Sequence, residues 1–134
     1  GGIEASLRRV AHYDYWSDRL RGSILLDAKA DYLLYGMAEK AVLELAAALK
    51  NGGDPRSIQG VCYLTNQEGY ASRQNELLTL PSYESVCADK NVFIDMFHAF
   101  YQNQDPRSAR PLDTPAKVET FGVHHGLPAP QCAW

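Results

Sequence analysis

The sequence predicts an α/β fold, an open layer of short strands alternating with helices, on three observations. Asp31-Tyr-Leu-Leu-Tyr-Gly36 is a short apolar run ending at a glycine, as a buried strand does. Met37 to Lys50 carries Val42, Leu45, Ala46 and Leu49 on one helical face and Glu39, Lys40 and Glu44 on the other, and Asn51-Gly-Gly53 stops it. Ile58 to Thr65 is a second apolar run, set off by the turn residues Asp54-Pro-Arg-Ser57. If the two strands pair directly, they are expected to be parallel, joined by a right-handed crossover. One such unit leaves edges to cover, so an incomplete open sheet is expected, its edge exposed or patched by a polar hairpin.

The flanking elements follow from the same reasoning. In Gly1–Ala11, Ser6 or Glu4 can cap a helical segment, with Leu7, Val10 and Ala11 spaced for one face. Ser17 to Lys29 reads as a helix capped by Ser17, with Leu20 and Ile24 inward and Gly22 weakening it by about 1 kcal/mol. Asn66 to Asn75 is polar around Gly69 and fits a hairpin or loop, and Glu76 to Leu80 is a short extended piece. Ser82 then caps a long C-terminal amphipathic helix. Val86, Phe93, Phe97 and Phe100 recur along it at helical spacing, with Met96 and Tyr101 beside them, until Pro106 closes it. From Pro111 to Trp134, prolines and missing periodicity predict irregular or disordered chain. The expected organisation is a partial α/β domain over residues 1–110 and an irregular tail over 111–134.

Composition narrows the function classes. At 134 residues, with 46% hydrophobic and 22% charged residues, the chain suits one globular domain rather than a disordered segment. A net charge of −3 does not ask for nucleic acid or an anionic membrane as partner. No apolar run reaches the roughly 18 residues of a membrane span. No basic, apolar leader precedes the first motif, so secretion has no support, and an odd number of widely spaced cysteines makes a reducing cytoplasm the expected location. Cys62, Cys87 and Cys132 are odd in number and 25 and 45 positions apart, which fits neither a disulfide framework nor a local metal clip. Small buried hydrophobes are the favoured reading of all three. The adjacent His124 and His125 diverge in extended chain and read as a solvated loop rather than a metal site.

The candidate site lies in the first eighteen residues: Glu4, Ser6, Arg8, Arg9, His12, Asp14, Tyr15 and Asp18. Arg8 and Arg9 suit a carboxylate or phosphate, His12 suits proton transfer near neutral pH, and Asp14 can orient it. Arg8 and His12, four apart, share a face if the segment is helical, and His12, Asp14 and one of the two arginines are expected to converge. The alternative is a fixed polar network at a domain joint. No residue is assigned as catalytic and none as a metal ligand. Arg8, Arg9, Arg19 and Arg21 are interrupted by Asp14 and Asp18, a poor basic patch that argues against nucleic acid. For Gly1-Gly2, physics alone leaves a ligand-approaching turn and a non-native leader equally open.

Gly1-Gly-Ile-Glu-Ala-Ser-Leu-Arg-Arg9, His12-Tyr-Asp-Tyr-Trp-Ser-Asp18 and Ser23-Ile-Leu-Leu-Asp-Ala-Lys-Ala-Asp31 resemble segments of the YgiQ-like family of radical-SAM iron–sulfur proteins. So do Tyr35-Gly36, Glu39-Lys40, Leu80-Pro-Ser-Tyr-Glu84 and Asp105-Pro106, which carries the resemblance from Gly1 to about Arg110 and makes the glycine pair the family's own. The resemblance implies a segment upstream of the family's Cys-x-x-x-Cys-x-x-Cys motif. It implies a 4Fe-4S cluster and S-adenosylmethionine for the full-length family. For this chain, which has no two cysteines at that spacing, it implies no cofactor. A more distant resemblance, to the cobalamin-binding-like domain upstream of many radical-SAM barrels, implies a partial open Rossmann-like layer. Gly1-Gly2, Asp31–Gly36 and Glu39–Leu49 follow that plan, while the cobalt-ligating histidine loop would lie upstream of Gly1.

The implied function is that of an N-terminal-region fragment of an iron–sulfur oxidoreductase of unassigned substrate, lacking catalysis by itself. Its implied partners are the radical-SAM barrel and upstream strands of the parent protein. A rival from another class is a stand-alone binding module for a nucleotide or protein partner, using Tyr13, Tyr15 and Trp16. Whether the chain is an enzyme stays open at this point.

Overall fold

A computed structural model describes residues 1–66, 77–105, 107–115 and 121–125, with residues 66 and 121–125 described through their backbone. The polar segment expected as a hairpin falls almost wholly outside these residues, as does Cys132. Along the chain run α1 (Gly2–Leu7), β1 (His12–Asp14), β2 (Arg19–Arg21), α2 (Ile24–Asp27), β3 (Tyr32–Leu34) and α3 (Glu39–Asn51). A 3-10 turn (Pro55–Ser57) follows, then β4 (Val61–Asn66), β5 (Leu78–Thr79), α4 (Tyr83–Ala88), α5 (Lys90–Gln102), β6 (Leu112–Pro115) and β7 (Phe121–His125). The fold is mixed α/β, as the sequence predicts, with open sheets and a long helical region toward the C-terminal end.

Strands β1 and β2 form a separate antiparallel hairpin. Among the described residues the main sheet has five strands in the order β3-β4-β7-β6-β5, antiparallel except for the β5–β6 pair. Alternation along paired strands sorts the side chains between two faces. Leu33, Cys62 and Leu112 share one face by register. There Leu33 and Cys62 pack with Ala5, Leu25 and Tyr35, and Leu112 packs with Val10, Leu80, Val86 and Met96. Val61 and Tyr63 point the other way and meet Ala41 and Leu45 of α3. The sheet therefore has α1, α2, α4 and α5 on one side and α3 on the other.

Several expectations are corrected. β3 and β4 pair antiparallel, with Leu34 opposite Val61 and the Tyr35 amide donating to the Gly60 carbonyl at 3.0 Å. The helix is not a crossover. α3 runs roughly 20 Å outward, turns at Gly52 (φ 70°), and residues 53–59 retrace it to deliver β4 beside the end of β3. The buried stripe of α3 is Ala41 and Leu45 with Ala48 partly buried, whereas Val42 and Leu49, expected inside, are exposed.

The Ser17–Lys29 helix is replaced by the end of a hairpin loop, β2 and a single helical turn, because Asp14 captures the Trp16 amide and the Ser17 hydroxyl. The long C-terminal helix is divided at Asp89, whose extended backbone (φ −142°, ψ 125°) ends α4 while its carboxylate accepts from the Asn91 amide and caps α5. Ser82 caps α4 as expected, accepting from the Ser85 amide. Within the stretch read as an irregular tail, β6 and β7 supply two strands of the main sheet; long-range backbone pairing there outweighs weak local preference.

Candidate functional site

α1 is short and ends at Leu7, so the next residues leave the helix in different directions. Ser6 holds the helix to the sheet: its hydroxyl donates to the Gly2 carbonyl at 3.1 Å and accepts from the Gly36 amide at 2.9 Å. Arg8 caps the helix and turns toward α2, donating to Glu4 at 2.9 Å, to Asp27, and to the Gly22 carbonyl at 3.4 Å. Arg9 turns inward and is 8% exposed. Its guanidinium lies 4.0 Å from the Tyr35 ring centre and 4.7 Å from that of Phe100. Burial lowers the Arg9 pKa, but an arginine stays protonated across the accessible pH range.

The hairpin carries the other predicted residues. Asp14 accepts from the Ser17 hydroxyl at 2.6 Å, the Trp16 amide at 3.1 Å and Arg21 Nε at 3.3 Å. These bonds, the Ser17 one foremost, hold its carboxyl below the usual range. The Tyr13 hydroxyl donates to Asp18 at 2.5 Å, which raises its pKa, and Asp18 itself takes a positive φ of 50° at the loop. Tyr15 and Trp16 project from the tip, 82% and 95% exposed.

The eight residues thus fall into separate groups. Glu4 and Arg8 join Asp27, Ser6 ties α1 to β3, Asp14 and Asp18 brace the hairpin, and Tyr15 faces outward. Among the described residues no hydrogen bond or ion pair links Arg8 or Arg9 to His12 or Asp14. Arg8 and His12 are not helical neighbours, because α1 has ended before either.

Arg9 and His12 both line one cleft, of about 470 Å³, between the α1–β1 connection and α5. Phe93, Phe97, Phe100 and Gln104 form its other side. The sequence reading missed those residues as site components, since aromatic residues at helical spacing indicate core. Their signal is in exposure: Met96 is buried, while Phe97 on the same helix is 48% exposed. A second cleft of similar size lies beyond β2, lined by Arg19, Arg21, Ser23, Tyr83 and Thr114.

The two described thiols, Cys62 and Cys87, do not fit an iron–sulfur cluster, which needs several thiolates converging on one point. Cys62 is fully buried among Leu25, Leu33 and Tyr35, and burial raises its pKa and keeps it protonated. Cys87 is exposed on α4. Among the described residues no three His, Cys, Asp or Glu side chains group as metal ligands, and no helix is long and apolar enough to cross a membrane.

A UPF0313 protein of Fusobacterium nucleatum is 52% identical over 111 residues, covering 83% of this chain and 19% of its own. One from Methanocella arvoryzae is 47% identical over 109 residues, covering 79% of this chain and 18% of its own. One from Bradyrhizobium diazoefficiens is 43% identical over 132 residues, covering 84% and 20%. The chain therefore spans about a fifth of the length of these curated relatives. No solved structure matches. The family model described as Radical SAM N-terminal matches residues 1–130, past the Arg110 limit of the motif resemblance. With that match over nearly all of its length, and no closely spaced cysteines for a cluster, the chain belongs to the Radical SAM N-terminal family.

Proposed function

We propose that this chain is the N-terminal layer of a radical-SAM iron–sulfur oxidoreductase and presents a surface to the reacting parts without performing the chemistry. The observation that carries this reading is the family match over residues 1–130, on a chain whose Cys62 and Cys87 point to different surroundings. The 4Fe-4S cluster and S-adenosylmethionine belong, on this reading, to other segments of the full-length protein. Its partners are the barrel and the upstream strands, and its location is the cytoplasm, which three cysteines far apart in sequence suit. Of the candidate site residues, Glu4, Arg8, Asp14 and Asp18 serve as structural braces, and Arg9 with His12 faces a ligand in the α5 cleft.

A second reading, a binding module for a protein partner, draws on the exposed Tyr15 and Trp16 at the hairpin tip. Anaerobic reconstitution with iron and sulfide tests the first reading, with bound iron and absorbance measured on the 134-residue chain. Background iron is expected. Retention of roughly four irons per chain, lost on Cys62→Ala or Cys87→Ala, would overturn it.

A further inference from the structure

We propose that Arg9 anchors a binding site for a small organic anion, a carboxylate or phosphate carried on an apolar, aromatic-sized body. This rests on the reading above that the α5 cleft faces a ligand, and it adds the ligand's chemical class.

The first observation is an unused donor set. A guanidinium offers five N–H groups, and burying it without acceptors is costly, so buried arginines ordinarily pair with a carboxylate. Arg9 is 8% exposed and makes no hydrogen bond or ion pair among the described residues; its Nε is enclosed and unsatisfied. Arg8, one residue earlier, shows the ordinary outcome, with Glu4 and Asp27 as partners.

The second is orientation. Contact with Tyr35 and Phe100 holds the Arg9 side chain but supplies no acceptor for its N–H edge. A planar fork fixed in this way is prepared for bidentate contact with a carboxylate or phosphate. The third is the cleft. Among the described residues no Asp or Glu lines it to compete for the cation. Phe93, Phe97 and Phe100 form an apolar side, with Ser6, His12, Tyr13 and Gln104 among the polar residues that line the rest. Its volume of about 470 Å³ lies in the range of small-molecule sites. A bare anion would fill the fork and leave the aromatic wall in water; an anion with an apolar body uses both.

The test is titration of the 134-residue chain with 3-phenylpropionate and phenyl phosphate, against acetate and inorganic phosphate, observing the arginine Nε–H resonances by NMR. At least one aromatic anion is expected to move the Arg9 signal saturably and bind about 10-fold or more tighter than its bare headgroup. Which of the two wins separates a carboxylate source from a phosphate source. Arg9→Gln should abolish the binding and Arg9→Lys should weaken it, the charge being kept and the fork lost. Phe97→Ala should reduce the preference for the aromatic anions without touching Arg9, which keeps the proposal open to refutation if the Arg9 variants do not fold. Arg19→Gln, outside the cleft, should change nothing.

The proposal is overturned if neither aromatic anion saturates by about 10 mM, or if Arg9→Gln leaves the titration unaltered. Equal affinity for bare and aromatic anions would remove the apolar body from the assignment and overturn it as stated. Iron uptake is independent of Arg9. A chain that takes up no iron and binds no anion overturns this proposal alone; four retained irons overturn the family-layer reading whatever the titration gives.

Discussion

Asp113→Asn should make the protein's stability less sensitive to pH between about 4 and 7. Asp113 is 1% exposed in β6, its Oδ1 is enclosed without a partner, and burial raises its pKa from 3.8 to about 6. The folded chain therefore holds this proton to higher pH than the unfolded chain does. Below about pH 4 both states are protonated and the neutral acid carries no ionisation penalty. As pH rises through 6 the folded state must ionise an enclosed carboxylate, while the unfolded state has already done so at no cost.

A difference of about two pKa units corresponds to about 3 kcal/mol of stability lost across this window. That is a large share of the 5–15 kcal/mol that holds a typical domain together. Urea midpoints taken at half-unit intervals from pH 4 to 7.5 should fall between about pH 4 and 6 in the parent chain and level off above that, while the variant stays flatter, so that the curves diverge across this window and run parallel beyond it. His124 stands opposite Asp113 in register, so the pair is also compared in a His124→Gln background to keep any histidine titration out of the slope. Parallel curves across this window in both backgrounds would refute the assignment of the slope to Asp113.

Two further outcomes test the packing and the brace. Leu25→Ala empties a position of 0% exposure among Ala5, Leu33 and Tyr35, and should cost about 2–5 kcal/mol by urea denaturation; Leu43→Ala, 72% exposed on α3, should stay within about 0.5 kcal/mol. Asp27→Asn removes one partner of Arg8, and because Asp27 is 58% exposed the loss should be about 0.2–1 kcal/mol and shrink in high salt. A double-mutant cycle with Glu4→Gln measures how far the two carboxylates act together on one guanidinium.

Strands and helices with strong periodicity were legible in the sequence, and geometry set by contacts between distant segments was not. The α3 helix and both of its neighbouring strands match the ranges their apolar patterns mark, α3 and β4 each running one residue further, because local burial and the stop at Gly52 dictate them. Their antiparallel pairing was not legible: it depends on residues 53–59 lying back along α3, a tertiary choice. Helical spacing of Leu20 and Ile24 misled because Asp14 and Ser17, through side-chain hydrogen bonds, make a turn where a helix was expected to begin. In the site, residue type suggested anion contact for Arg8 and Arg9 alike. The fold separates them, since a single turn at the end of α1 sends one to carboxylates and the other between two rings.

The strand order also governs how the nascent chain can assemble. β7 sits between β4 and β6, so the sheet cannot close until residues 121–125 have been made. β4 is complete by residue 66, and at ordinary ribosomal speeds its partner follows roughly 3–12 s later. In that interval β3–β4 and β5–β6 can exist only as separate small ribbons, each with a side awaiting the same five residues. Pairing across so long a stretch of chain is slow, and waiting edges invite the wrong neighbour. Ribosome-bound chains stopped before residue 121 should therefore be the ones a holding chaperone recognises, and chains extended beyond residue 125 the ones it releases.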